Sequence, residues 1–127
     1  MTISNTELEV LKELWDGGPG LVRDIQERLE RAGRSWAYTT VQTLLARLHA
    51  KSLVRTEQAG RAHIFHAAVS REDVLRDELD TLANRVCGGA TSPLVLTLVD
   101  GHKFSRSEID ALRALIDRLD AESEEGA

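Results

Sequence analysis

Between Tyr38 and Lys51 the chain collects side chains that could do chemistry: Tyr38, Thr39, Thr40, Gln42, Thr43, Arg47 and Lys51. Hydroxyls, a primary amide and long cations are the groups that meet base edges and phosphates. Gln42 could pair bidentately with adenine, and a threonine methyl can touch a thymine methyl. Thr39 and Thr43 can donate to a base or a phosphate. Arg47 and Lys51, further along, are expected on phosphates, and Thr40, beside Val41, is expected to be partly buried. Downstream, Arg61 is the candidate for a phosphate or minor-groove contact, and His63 is expected on the same DNA-facing side.

These residues need a scaffold. Val41, Leu44, Leu45 and Leu48 recur at helical spacing, so Tyr38 to Lys51 reads as one amphipathic helix with its polar set on the opposite face. Leu53 to Thr56 and His63 to Ala67 read as strands flanking a turn at Ala59-Gly60, with Val54 inward and Ile64 alternating with His63 and Phe65. Upstream, Ser4 and Glu7 fit a capping box for a first helix to about Asp16, striped by Leu8, Leu11 and Trp15. Gly17-Gly18-Pro19-Gly20 ends it. A second helix from Val22 to Arg31 buries Val22, Ile25 and Leu29. Its charged residues, Arg28 included, read as a solvated face with i,i+3 and i,i+4 pairs. Two helices joined through Gly33 and followed by a basic hairpin outline a winged helix-turn-helix, in which the start of the second helix contacts bases.

The net charge of −5 taken alone disfavours nucleic acid, but its distribution matters more. Residues 34–66 carry Arg34, Arg47, Lys51, Arg55 and Arg61 against Glu57 alone, while the flanking segments are acidic. Only the facing surface must release phosphate counterions, so a local basic patch is compatible with double-stranded DNA. No apolar run approaches the ~20 residues of a membrane span. The N-terminus lacks a signal-peptide pattern. The single cysteine, Cys87, fits a reducing compartment. A cytoplasmic protein without membrane insertion is expected. His63 and His66, three apart on a strand, point to opposite faces, so no metal or other cofactor is expected. An enzyme is not expected either: there is no phosphate loop and no nucleophile-base pair.

At Ser70 the character changes. Ser70 with Asp73 begins a long helix to about Cys87, carrying Leu75, Leu79 and Leu82. Ser92-Pro93 starts a short apolar segment with Leu94 and Leu98, read as helix although its β-branched content also permits a strand. Ser105 with Glu108 caps a last helix to about Ala121, striped by Ile109, Leu112, Ile116 and Leu119. The tail AESEEGA is expected to fray. This is more apolar surface than three short helices can hide, so a homodimer is expected. The fold class is mainly α with a small β-hairpin wing: a winged-helix DNA-binding domain over residues 1–69 and a helical dimerisation domain over 70–127.

The stretches TELEVLKELW, GPGLVRDIQERL, AYTTVQTLLARLHAKSLV, GRAHIFHAAVSRED and SPLVLTLVDGHKFSRSEIDALRALIDRL occur in this order. Together they resemble the penicillinase-repressor family of bacterial transcriptional regulators, the BlaI/MecI/CopY group. The resemblance implies a winged helix reading an inverted-repeat operator, C-terminal helices that dimerise, and repression by promoter occupancy. It carries base contacts onto Thr39, Thr40, Gln42 and Thr43, and the wing arginine onto Arg61. It also implies release by a membrane sensor protease cutting the short apolar helix, where Thr97 and Leu98 stand in place of the asparagine and phenylalanine of the best-known members. Copper-responsive members carry a C-terminal cysteine cluster, which a lone Cys87 does not match. The competing reading is a winged-helix protein-interaction module that never touches DNA. The retained Arg47, Lys51, Arg55 and Arg61 favour DNA over that alternative.

Overall fold

The computed structural model describes residues 1–125. Capping chemistry sets where three of its helices begin. At the start of α1 (Asn5–Gly17), the Glu7 amide donates to Ser4 Oγ at 3.2 Å and the Ser4 amide returns a bond to Glu7 Oε1 at 3.2 Å. Ser70 and Asp73 repeat the box before α4 (Arg71–Val86), and Ser105 and Glu108 before α6 (Arg106–Glu125). All three expected boxes form, and each satisfies backbone donors left open in the first turn. Between them lie α2 (Val22–Arg31), α3 (Tyr38–Ala50), β1 (Val54–Ala59), β2 (Ala62–Ala67) and α5 (Ser92–Asp100).

The chain forms two compact units, residues 1–81 and residue 82 onward. In the first, Val10, Leu11 and Leu14 of α1 meet Val22, Ile25 and Leu29 of α2 and Val41, Leu44, Leu45 and Leu48 of α3, with Leu53 and Val54 closing the cluster. Each such burial contributes about 1.5–3 kcal/mol before conformational entropy is counted. Trp15, Trp36 and Phe65 pack around the edge, as expected for Trp15. The α2–α3 link is tied down by Gln26 Nε2 donating to the Trp36 carbonyl at 3.2 Å.

The hairpin is longer than its apolar pattern suggests. Pairing runs from Val54↔Ala67 to Ala59↔Ala62, so the loop is Gly60-Arg61 rather than Ala59-Gly60. Gly60 takes φ 64° at the first loop position, which a type II′ turn reserves for glycine. The register puts Phe65 and Ala67 on the Val54 face, against the core, and Ile64 on the face shared by Arg55, Glu57 and His66. Gly20 adds a further antiparallel bridge to Phe65, with N···O distances of 3.1 and 2.8 Å. The GGPG run therefore supplies the wing's third strand position as well as the end of α1.

Residues 92–100 are helical, which settles the choice between helix and strand. The last helix continues through Glu125 instead of ending near Ala121. Ala and Glu are strong helix formers, and Arg118 lies 3.9 Å from Glu122 one turn on. Gly126 and Ala127, the end of the tail expected to fray, lie outside the described residues.

Candidate nucleic-acid interface

One side of α3 is core: Val41, Leu45 and Leu48 are fully buried and Leu44 nearly so. A helix so anchored must turn its opposite side outward, and there Tyr38, Thr39, Thr40, Gln42, Thr43 and Arg47 are all exposed. Thr40 is exposed rather than partly buried, because Val41 alone turns into the core at this point. Thr39, Thr40, Thr43, Leu44 and Arg47 line a shallow depression of about 260 Å³. The helix starts at Ala37 with no side-chain cap, so its first amides and the positive end of its dipole stay available beside these hydroxyls. The alanine before Tyr38 was the sequence signal for this open end, since alanine is a poor N-cap.

Two of the expected contacts are modified. Thr43 Oγ1 donates to the Thr39 carbonyl at 2.8 Å. Its proton is committed to the helix backbone, so Thr43 offers a base its lone pairs and methyl group rather than a donor. Lys51, expected on a phosphate, is engaged within the chain. Its Nζ donates to Glu7 Oε1 and to the Thr2 carbonyl, both at 2.8 Å. It lies 2.8 Å from Glu7 Oε2 as well, but that buried oxygen receives no hydrogen bond. Glu7 is only 3% exposed, and Lys51 is the cation that compensates it. Burial raises the Glu7 pKa, but hydrogen bonds from Lys51 and Ser4 and the Lys51 charge outweigh it, leaving the carboxyl below its usual value.

Arg61 occupies the second loop position of the wing and is exposed. Gln58 Nε2 braces the loop by donating to the Gly60 carbonyl at 3.2 Å. His63 is exposed opposite Gln58. Arg55 stands opposite His66 at the wing base and lines a depression of about 460 Å³ with Trp15 and Pro19. His66 is half-buried, with Nε2 2.9 Å from Glu57 Oε2. Among the described residues Arg47, Arg55 and Arg61 form no salt bridge, and no three potential ligands gather as a metal site. Arg28, read from sequence as part of a solvated face, instead caps the end of α1, donating to the Gly18 carbonyl at 2.6 Å. Gly17 admits it, since a Cβ there would lie 2.8 Å from the guanidinium carbon.

The apolar residues expected at a dimer contact stay uncovered in a single chain. Leu75 and Leu79 on α4, Leu98 on α5 and Ile116 and Leu119 on α6 are exposed, and Leu82, Leu94, Ile109 and Leu112 are half-buried. Val86, Val95, Leu96, Val99 and Leu115 extend the exposed set. Thr97 is exposed on α5 beside Leu98. None of the described helices is long and apolar enough to cross a membrane.

Comparison with known proteins gives this geometry a context. Transcriptional regulator BlaI of Mycobacterium tuberculosis is 32% identical over 121 residues, covering 94% of this chain and 86% of that protein. The penicillinase repressor of Bacillus licheniformis is 25% identical over 91% of this chain and 89% of its own length. The methicillin resistance regulatory protein MecI of Staphylococcus aureus is also 25% identical, over 91% and 94% respectively. These relatives are repressors and regulators rather than enzymes. Among solved structures, the DNA-binding domain of the repressor BlaI matches with a TM-score of 0.51 at 28% identity, over 57% of this chain and 87% of that one. A MarR family protein from Bacillus stearothermophilus matches in fold with a TM-score of 0.50 at 17% identity, over 98% of this chain and 77% of the other. Residues 3–118 match the family described as penicillinase repressor, and with a winged helix whose third helix turns a polar face outward, the chain belongs to that family.

Proposed function

We propose that this chain is a transcriptional repressor that occupies an inverted-repeat operator in double-stranded DNA as a homodimer in the cytoplasm. The observation that carries the reading is the outward face of α3: Thr39, Thr40, Gln42, Thr43 and Arg47 exposed together on a helix whose other face is core. Gln42 reads a base, preferring adenine, and Tyr38, Thr39, Thr40 and Thr43 contact neighbouring bases, while Arg47 and Arg61 meet phosphates and His63 faces the DNA. Residues 1–69 hold the DNA-reading function and 70–127 the pairing function. The uncovered leucines, isoleucines and valines of α4, α5 and α6 support the second assignment. Release comes through α5, by a membrane sensor protease cutting between Thr97 and Leu98 or by another signal acting on the C-terminal helices.

The test begins with duplexes selected from a randomised library by the full chain. Titration by fluorescence anisotropy at one fixed salt concentration then compares the chain with its Gln42→Ala/Thr43→Ala variant. The pair of substitutions should cost about 1–3 kcal/mol on the selected duplex, the worth of a bidentate base contact, and less on unrelated duplexes. Equal loss on both, or none, would remove α3 from the role of base reader.

A further inference from the structure

The segment that leaves the winged helix is not a free linker. Trp15 Nε1 donates to the Val69 carbonyl at 2.9 Å. Ser70 accepts from the Asp73 amide at 3.0 Å, which starts α4 without slack. Arg71 Nη2 donates to Asp16 Oδ1 at 2.6 Å, and the Arg71 guanidinium carbon lies 5.3 Å from the Trp15 ring centroid. Val74 on the next turn is buried at 5% exposure. An exposed ion pair is weak alone, but here hydrogen bonds, an ion pair, a cation–π contact and apolar burial all fall between Val69 and Val74, and Trp15 and Asp16 sit together at the end of α1. On the same turns of α4, Leu75 and Leu79 stand 56% and 40% exposed.

We propose that this joint, Trp15 and Asp16 against Val69 and Arg71, fixes the direction in which α4 leaves the DNA-reading unit and so sets which half-site spacing a homodimer accepts. The proposal rests on the reading of the chain as a dimeric DNA-binding repressor. Changing a spacer by one base pair moves the second half-site by about 3.4 Å and turns it by about 34° around the duplex. A flexible link at residues 69–71 would absorb that change. A pinned one presents Leu75 and Leu79 to the second copy in one orientation and cannot. Arg71 and Trp15 are therefore positioning residues. Neither belongs to the set assigned to bases or phosphates, so their loss should alter tolerance to spacing rather than affinity for one half-site.

The experiment uses a duplex selected by the full chain, rebuilt with its spacer lengthened or shortened by one and two base pairs, and also cut to a single half-site. For the unaltered chain, one base pair of spacer change should weaken binding by about tenfold or more. For Arg71→Ala/Trp15→Phe the same change should weaken it by about threefold or less. Trp15→Phe keeps a ring in the edge of the core, and Arg71→Ala alone serves as a milder variant. Arg71→Lys, which keeps a cation between Asp16 and Trp15, should discriminate nearly as well as the unaltered chain. Half-site affinity and the sedimenting dimer should be the same for all. If the double variant keeps full discrimination, or the unaltered chain shows none while binding as a dimer, the joint has no such role. If selection returns no duplex, or the unaltered chain sediments only as a monomer, the repressor reading fails and takes this proposal with it.

Discussion

Arg47 on α3 and Lys51 at its C-cap stand one turn apart, and both are long cations, yet of the two Lys51 alone is held in an ion pair. The difference lies 44 residues away, where Glu7 is buried beside Lys51. Helical spacing shows that both cations leave the core face. It cannot show that a capping glutamate of α1 will be packed beneath one of them. Two substitutions separate the roles. Arg47→Ala should leave stability within about 0.5 kcal/mol and lower the slope of log affinity against log salt by about 0.9, the loss of one phosphate neutralised. Lys51→Ala should do the reverse: about 1–3 kcal/mol of stability lost, from an unpaired buried carboxylate, with the salt slope kept. Denaturant unfolding and a salt series of anisotropy titrations read the two effects, and a salt slope that falls for Lys51→Ala would return it to the interface. The Glu7 carboxyl adds a pH signature. Its folded pKa lies below the unfolded one, so its stabilisation is complete above the unfolded value and drains away as pH falls through the folded one. Between pH about 5 and 3, the unaltered chain should lose more stability than Glu7→Gln, which has no charge there to lose.

At the scale of elements, most boundaries could be read because local chemistry sets them. Three capping boxes and the glycines at helix ends are short-range signals that the structure uses, and Ser92-Pro93 opens α5 as its first turn, although the cap position falls on Thr91 rather than Ser92. What escaped reading depends on contacts distant in sequence. Gly17 to Gly20 looks like a stop, and only the return of β2 makes Gly20 a strand partner of Phe65. Arg28 looks solvated, and only the folded loop offers it the Gly18 carbonyl. The apolar pattern places the wing's loop one residue early, because pairing extends to Ala59↔Ala62, and this puts Arg61 in the loop itself. That position sharpens the expectation for the wing. An arginine at a loop tip, braced only through the backbone, can reach phosphates without reading a base. Arg61→Ala should weaken binding to selected and unrelated duplexes by the same factor and lower the salt slope by about 0.9. Gly60→Ala places a Cβ at φ 64° and should damage the same contact by distorting the turn. A loss confined to the selected duplex would instead assign Arg61 a base.

For the whole molecule, charge and apolar surface are distributed unevenly. Residues 34–66, which hold α3 and the wing, carry five cations against Glu57 alone, whereas acids outnumber cations on either side of them. An acidic remainder disfavours DNA elsewhere on the chain and so favours approach through the basic segment. The same unevenness holds for apolar surface: none of the described residues of α5 or α6 is buried, although both helices carry leucine and isoleucine or valine. Periodicity identified the stripe on α6 but could not tell an intramolecular partner from a second chain, because both bury the same face. Exposure in one chain favours the second chain. Ile116 and Leu119, at 62% and 54% exposure, can each take a carboxylate without disturbing the core of the first unit. Ile116→Asp/Leu119→Asp should therefore sediment as a monomer while its single half-site affinity stays unchanged. On the paired duplex, losing the second recognition helix should reduce affinity by about 100-fold or more, the usual gain from linking two binding modules. Because each half-site still binds, this loss would be one of linkage and not of chemistry. A variant that remains dimeric would move the pairing surface to α4, where Leu75 and Leu79 would be the next pair to charge.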